Sequence, residues 1–516
     1  MPLKKQPFTI LKDKMVKAID VDDSRGRSVP INMNFIEEGF LSKDTGCSLA
    51  GSTESNQAHS LFIYKKKDGT KYRIRALDTK LQTYDSGSDT WSNIASCPTF
   101  TSGAEFGYIV YDNELYFGNA VESMYKWDGS TFTEYASAPK GNIFEVFEDR
   151  LFVAGVTAEP LTVYYSNVGV PTTFTGTDVL KPLGTDHVTG LVNYFGNLLI
   201  FKAESIWKLT FIYDQVVTAF IPKLESQNRN YGACGRKAIS WVENDVWFFN
   251  GREVRSIGFQ DQQTGVLGIN NSVLSEPIKE TLAYISSSDY GEITTFYFNR
   301  RFYLSVSLSS EGNNNTFVCH LLHSNSWTKY TSRIKAYCNS YAEDDGTIYT
   351  TKSLTPYGTL LWNDSLKNDN DESIPVTVQF KRIEDQDFSL FCIYRYLDLM
   401  FKDLQARITV TVKADASDLR SSLTKEFIIG TEEEGEENAL AEVPVGDMLI
   451  ADSYGSLLAT APFIKRRVSF LAKAQSLTIQ LTNDHTDETF TVAQFAVTGH
   501  KNPRRQFAKG NIISIS

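Results

Sequence analysis

The residues able to do chemistry are few and scattered along this chain of 516 residues, which holds six histidines and six cysteines. Nucleophilic catalysis needs a Ser or Cys beside a His that a carboxylate orients. No G-x-S-x-G elbow occurs, and no recognisable nucleophile context surrounds the cysteines. Paired carboxylates stand at Glu148-Asp149, at Asp344-Asp345, and at Asp112 near Glu114. Two such groups facing each other across a sugar could hydrolyse a glycosidic bond. Each pair falls at a predicted hairpin tip, however, where Asp serves turn geometry. The nearest approach to a metal cluster is C-H-L-L-H, Cys319 to His323. On a strand His320 and His323 would point to opposite faces, and no second Cys/His pair completes a site.

SGSDTWS (Ser86 to Ser92) has the outline of a sialidase Asp-box turn, with Thr90 where a glycine normally follows the Asp. The turn is the stronger reading. Cys47, Cys97, Cys234, Cys319, Cys338 and Cys392 form no C-x-x-C pair, so the spacing offers neither a zinc site nor a redox motif. They read as small buried hydrophobes. We therefore expect no catalytic, cofactor-binding or metal-binding residues and no enzymatic activity.

The formal net charge of -11 argues against gripping nucleic acid, which needs Lys and Arg concentrated on one face. It suits a wall that DNA slides past without sticking. Lys65-Lys66-Lys67, Arg300-Arg301, Lys465-Arg466-Arg467 and Arg504-Arg505 are scattered, and read as edge-strand charges or subunit contacts. The opening MPLKKQPFTILKDKMVKAID has no signal-peptide core, and no later run is long enough to cross a bilayer. The expectation is a soluble protein made in a reducing cytoplasm.

The elements that would position these residues repeat. Aromatics make up 13% of the chain, with 33 Phe and 25 Tyr, a bias toward pleated, half-buried surfaces. A unit of apolar strand, tight polar turn and apolar strand recurs seven times. The copies are LFIYKKKDGTKYRIRAL (Leu61 to Leu77), YIVYDNELYFG (Tyr108 to Gly118), IFEVFEDRLFVAG (Ile143 to Gly155) and LVNYFGNLLIFK (Leu191 to Lys202). AISWVENDVWFFNG (Ala238 to Gly251), TTFYFNRRFYLSV (Thr294 to Val306) and NSYAEDDGTIYTT (Asn339 to Thr351) complete the series. Outer hairpins match too, in YDSGSDTWSNI (Tyr84 to Ile94), YKWDGSTFTEY (Tyr125 to Tyr135) and LHSNSWTKYT (Leu322 to Thr331). One four-stranded sheet cannot bury both faces, but six or seven packed radially can. The predicted fold is all-β: an irregular propeller of six or seven blades over residues 53–362, then a C-terminal β-sandwich over 375–500. The alternative is a long β-sandwich or β-solenoid.

Residues 1–52 read as an extended arm packing along the propeller or a neighbouring subunit, 363–374 as a polar linker, and 501–516 as a tail. VLSEPIKETLAYIS (Val273 to Ser286) has helical spacing, with Ser275 placed to cap and Pro277 in the first turn. TEEEGEEN (Thr431 to Asn438) reads as a solvated acidic loop.

Three segments in order resemble the β-propeller head-to-tail proteins of tailed bacteriophages, the packaged-DNA-stabilisation, tail-hub or nozzle proteins of short-tailed phages. They are TDHVTGLVNYFGNLLIFKAESIWKLT (Thr185 to Thr210), YGACGRKAISWVENDVWFFNGREVRSIGF (Tyr231 to Phe259) followed by LSEPIKETL (Leu274 to Leu282), and YYSNVGVPTTFT (Tyr164 to Thr175). In the last, Asn167 stands where that family usually has Asp. SVPINMNFIEEGFLSKDTGC (Ser28 to Cys47) is similar to the family's opening strap. The resemblance implies a virion structural protein, assembled in the host cytoplasm. It would form a homo-oligomeric ring, a hexamer by resemblance, below the portal and adaptor. That ring would extend the DNA channel, retain packaged DNA and anchor tail fibres or spikes. The competing class is a glycan-binding or glycan-cleaving propeller used in host attachment, and a third is an interaction scaffold of cellular origin.

Overall fold

The computed structural model describes residues 6–9, 29–36, 40–176, 178–216, 218–261, 266–270, 272–309, 312–323, 325–380, 383–384, 392–415, 423–430, 464–474 and 476–501. The acidic segment 431–438 and the Arg504-Arg505 pair lie outside them. The chain divides into two compact units, one of Cys47–Val318 with Thr331–Asp364, the other of Met1–Gly46 with Cys319–Tyr330 and Ser365–Ser516.

Each of the seven inner hairpins opens a four-stranded antiparallel sheet, here called blades 1 to 7. Their innermost strands are Ala58–Lys65, Gly107–Tyr111, Ile143–Phe147, Val188–Tyr194, Ile239–Val242, Thr294–Phe298 and Cys338–Asp344. Turn chemistry sets the register. Asp112 and Asn113 have φ of 42° and 68°, Glu148 and Asp149 47° and 54°, Asn299 and Arg300 47° and 55°, and Phe195 and Gly196 43° and 76°. Positive φ at both central residues is the primed turn whose twist matches the flanking strands.

The first six sheets take their strands consecutively from the chain, whereas blade 7 does not. It contributes Cys338–Asp344, Thr347–Lys352 and Thr359–Trp362, and its fourth strand is Cys47–Leu49, paired so that Leu361 faces Ser48. The ring is thus sealed by joining the start of the unit to its end. Aromatic rings glue neighbouring blades: Phe62 stacks on Tyr108 at 4.1 Å, Phe201 meets Phe248 at 5.5 Å, and Phe296 stacks on Tyr341 at 4.8 Å.

The other unit is a sandwich of a six-stranded and a five-stranded sheet. Leu397, Phe401 and Phe495 of one sheet and Val378, Val410 and Ile479 of the other share one buried core. Part of the segment read as an extended arm packing along the propeller or a neighbouring subunit is built into this sandwich instead. Met33–Phe35 and Leu41–Lys43 are strands of the six-stranded sheet, and Met33, Phe35 and Leu41 bury their side chains in its core.

The predicted helix is shorter than its pattern, with a 3-10 turn over Glu276–Ile278 and an α-helical turn over Lys279–Leu282. Ser275 does not cap it. Its hydroxyl accepts the Val254 N–H at 2.9 Å, because anchoring blade 5 satisfies a buried donor. Of the four residues that the spacing puts on one face, Ile278, Leu282 and Ile285 are buried and Leu274 is half-buried.

Candidate functional site

Residues at or near the start of all seven inner strands converge on one cavity of about 250 Å³ on the ring axis, lined among others by His59, Tyr108, Asn142, Arg236, Lys237 and Tyr341. Their placement follows from the blades: each inner strand starts at this mouth, so a polar residue just before or at its first position faces its six counterparts. Close approach matters as well. A Cβ on Gly190 of blade 4 would meet the Cδ1 methyl of Ile239 in blade 5 at 2.3 Å, so any other residue there would have to displace that side chain.

An ionic latch spans the mouth. Glu105, at the entry to blade 2, accepts from Lys237 Nζ at 2.8 Å through Oε1 and from Arg236 Nη2 at 3.1 Å through Oε2. Lys237 Nζ also donates to the backbone and side-chain oxygens of Asn339 in blade 7, at 3.0 and 3.1 Å. Arg236 Nη1 donates to the Phe106 carbonyl at 2.8 Å and the Asn142 carbonyl at 2.9 Å. Two adjacent cations of blade 5 therefore tie blades 2, 3 and 7 together. Burial pushes the Glu105 carboxyl up, but Lys237 and Arg236 outweigh it and hold the group down at about 2. Burial lowers His59, against the pull of Glu105 and Glu292.

The seam between blades 7 and 1 is also charged. Arg75 is wholly buried, pairs with Glu54, donates to Gln82 Oε1 at 2.8 Å and to Thr359 Oγ1 at 3.2 Å, and lies 4.3 Å over the Trp91 ring. Asp344 accepts from Lys71 at 2.7 Å and from Arg73 at 2.8 Å.

The residues weighed in the sequence are distributed by this architecture, not gathered by it. Asp112, Glu148, Asp149 and Asp345 sit at hairpin tips as expected. Asp344 does more than turn the chain, since it closes the ring. Lys65 ends the edge strand Ala58–Lys65 and Lys66 and Lys67 follow in the blade 1 tip, where Lys65 pairs with Asp345 at 3.5 Å and Lys67 with Asp112 at 2.9 Å. Arg300 and Arg301 likewise stand at an inner hairpin tip. Lys465, Arg466 and Arg467 do lie on the last strand of the six-stranded sheet, with Asp398 accepting from Arg467 at 2.6 Å. In SGSDTWS, Asp89 takes a φ of 51° and accepts from Tyr84 at 2.6 Å, as a turn residue.

His320 ends its strand buried, 2.8 Å from Thr328 Oγ1, whereas His323 falls in a 3-10 turn and not on the strand. Among the described residues no group of three His, Cys, Asp or Glu could hold a metal ion. Cys47, Cys97, Cys234, Cys319 and Cys338 are free and buried. No helix among the described residues is long and apolar enough to cross a membrane.

Three of the segments that carried the family resemblance make buried polar contacts within or between blades. In Thr185 to Thr210, Lys202 is fully buried, 2.9 Å from Asp186 and wrapped by the carbonyls of Pro182, Leu183 and Gly184. In Tyr164 to Thr175, the Ser166 hydroxyl accepts the Leu151 N–H at 2.9 Å. Tyr231 to Phe259 contains Arg236 and Lys237. Sequence reasoning did not single out Glu105, Arg236 or Lys237. The one available signal was position, directly before an inner hairpin.

No family model and no curated protein matches the chain. Among solved structures it is similar to the computationally designed Ika8 protein, at 9% identity and a TM-score of 0.38 over 61% of this chain and 99% of that one. It is also similar to the Neurospora crassa Pan2 WD40 domain, at 9% identity and 0.38 over 63% and 95%, and to YCF48 bound to D1 peptide, at 11% and 0.39 over 65% and 99%. The propeller assignment rests on the chain's own seven sheets and their shared axial cavity.

Proposed function

We propose that this chain is a structural protein of a tailed-phage virion, a subunit of a neck or tail ring that prolongs the DNA channel, retains packaged DNA and anchors fibres or spikes. The observation that carries the reading is how its charged groups are spent. Glu105 is paired with Arg236 and Lys237, Arg75 with Glu54, Asp344 with Lys71, and Lys202 with Asp186, across and within blades, which gives stiffness and not a reactive constellation. Three of them, Lys202, Arg236 and Lys237, fall within the segments that resemble the phage family. An acidic balance suits a surface past which DNA slides.

A glycan-binding propeller is the second reading, and one observation favours it. Phe195 and Trp241, 57% and 40% exposed, present rings 5.7 Å apart at one rim, where a sugar face could stack. Light scattering and negative-stain electron microscopy of the purified protein, alone and with portal, separate the two. A stable ring of high mass supports the conduit; a monomer retained on a glycan array rejects it for the lectin.

A further inference from the structure

The axial cavity holds donors that the latch does not use. A guanidinium carries five N–H groups. Arg236 gives both Nη1 hydrogens to carbonyls and one Nη2 hydrogen to Glu105. Its Nε–H is buried and meets no protein acceptor among the described residues. Leaving a buried N–H without an acceptor is costly. Nε and Nη2 form the side-on edge whose two parallel bonds match the oxygens of a carboxylate or phosphate.

Two more residues line the same cavity, His59 and Tyr341, and neither the imidazole nor the hydroxyl has a hydrogen-bond partner among the described residues. Tyr341 is held in place by its stack on Phe296. Among the groups in direct contact, two cations face the single carboxylate of Glu105, with Glu292 acting on His59 from further away. A second anion is therefore accommodated electrostatically. About 250 Å³ is room for several waters or a small organic anion.

We propose that this cavity binds one oxyanionic group, a carboxylate or phosphate, on the Nε–Nη2 edge of Arg236, with His59 and Tyr341 as further donors. The group arrives either as a free small anion or as the terminal carboxylate of a peptide segment.

Isothermal titration of the full-length protein with succinate, inorganic phosphate, a short peptide acid and its C-terminal amide tests this. One of the first three should bind saturably at one per chain, and the amide should not bind. Binding of succinate or phosphate identifies a free anion, and binding of the peptide acid alone identifies a chain terminus. Tyr341→Phe, which keeps the ring stack, should weaken that binding about threefold to tenfold, and Arg236→Lys about tenfold or more, because a lysine lacks the fork. If Arg236→Lys does not fold, Tyr341→Phe decides alone. Absence of saturable binding for all probes up to about 10 mM, well above the Kd of a millimolar site, overturns the proposal. So does an affinity unchanged by Tyr341→Phe and by any folded Arg236→Lys, or an amide that binds as tightly as the acid.

Discussion

Glu105 and Lys237 are 132 positions apart in sequence, yet Oε1 of one accepts from Nζ of the other at 2.8 Å on the axis of the ring. This pair, with Arg236 beside it, joins blade 2 to blade 5 across the cavity. Nothing local to either residue requires it. The contact exists because seven sheets close into a circle and bring their entry residues to one point.

Removing the Glu105 charge should loosen that point. Glu105→Gln leaves Arg236 and Lys237 without their counter-charge, and breaking a largely buried pair costs about 3 kcal/mol. Urea titration should show the propeller transition moving to lower denaturant by that amount. The pH dependence has a definite sign. The folded carboxyl is held at about 2, below its ordinary 4.5, so its contribution is present above pH 4.5 and is lost as pH falls toward 2. Melting temperature should drop more steeply over that window in the native protein than in Glu105→Gln.

The seam between blades 7 and 1 should be the weak link of the ring. Arg75 is buried against Glu54, Thr359 and the Trp91 face. Arg75→Met should cost about 3–5 kcal/mol by stranding Glu54, measured as loss of the denaturation midpoint. Hydrogen exchange should then rise first in Cys47–Leu49 and Thr359–Trp362, the paired closing strands.

Phe195 occupies a left-handed position, with φ of 43°, that bulky residues avoid, and it is more than half exposed. Phe195→Asn supplies a residue suited to that turn, so the stability should change by about 1 kcal/mol or less in either direction, relief of strain offsetting the lost ring contacts. A thermal melt checks this. If the exposed ring serves binding, the same variant should lose glycan retention or self-association while its melt hardly moves.

Burial pushes the Cys234 and Cys338 thiols up to about 12 and Cys319 well above its ordinary value. Thiolates react, thiols do not. Of the six cysteines in the chain, at most one should label with a thiol reagent in the native protein within minutes, and all six after denaturation. Absorbance titration counts them.

Local pattern carried a great deal of this fold. Each inner hairpin was readable because alternating apolar residues and Asp, Asn or Gly turns specify two strands within a dozen residues, as in Tyr108 to Gly118. The fourth strand of blade 7 was not. Cys47–Leu49 is three residues long, too short for any period, and its partner Leu361 lies at the far end of the unit. Residues Met33–Phe35 and Leu41–Lys43 were hidden in the same way, since a short strand declares itself only by what it pairs with. The helical spacing of Val273 to Ser286 overstated the helix, because Ser275 was taken by the backbone of a neighbouring strand.

What the sequence determined by itself was the repeated sheet, the positions of its turns, and the use of Asp112, Glu148 and Asp149 as turn residues. Those depend on backbone conformation over a few positions. Only the tertiary structure decided which charges meet. Glu105, Arg236 and Lys237 carry no mark in their own segments, and Asp344 reads as one more turn residue until the ring closes and sets it against Lys71 and Arg73. Coulombic and hydrogen-bond energies depend on distance in space, and for residues in different blades that distance follows from ring closure.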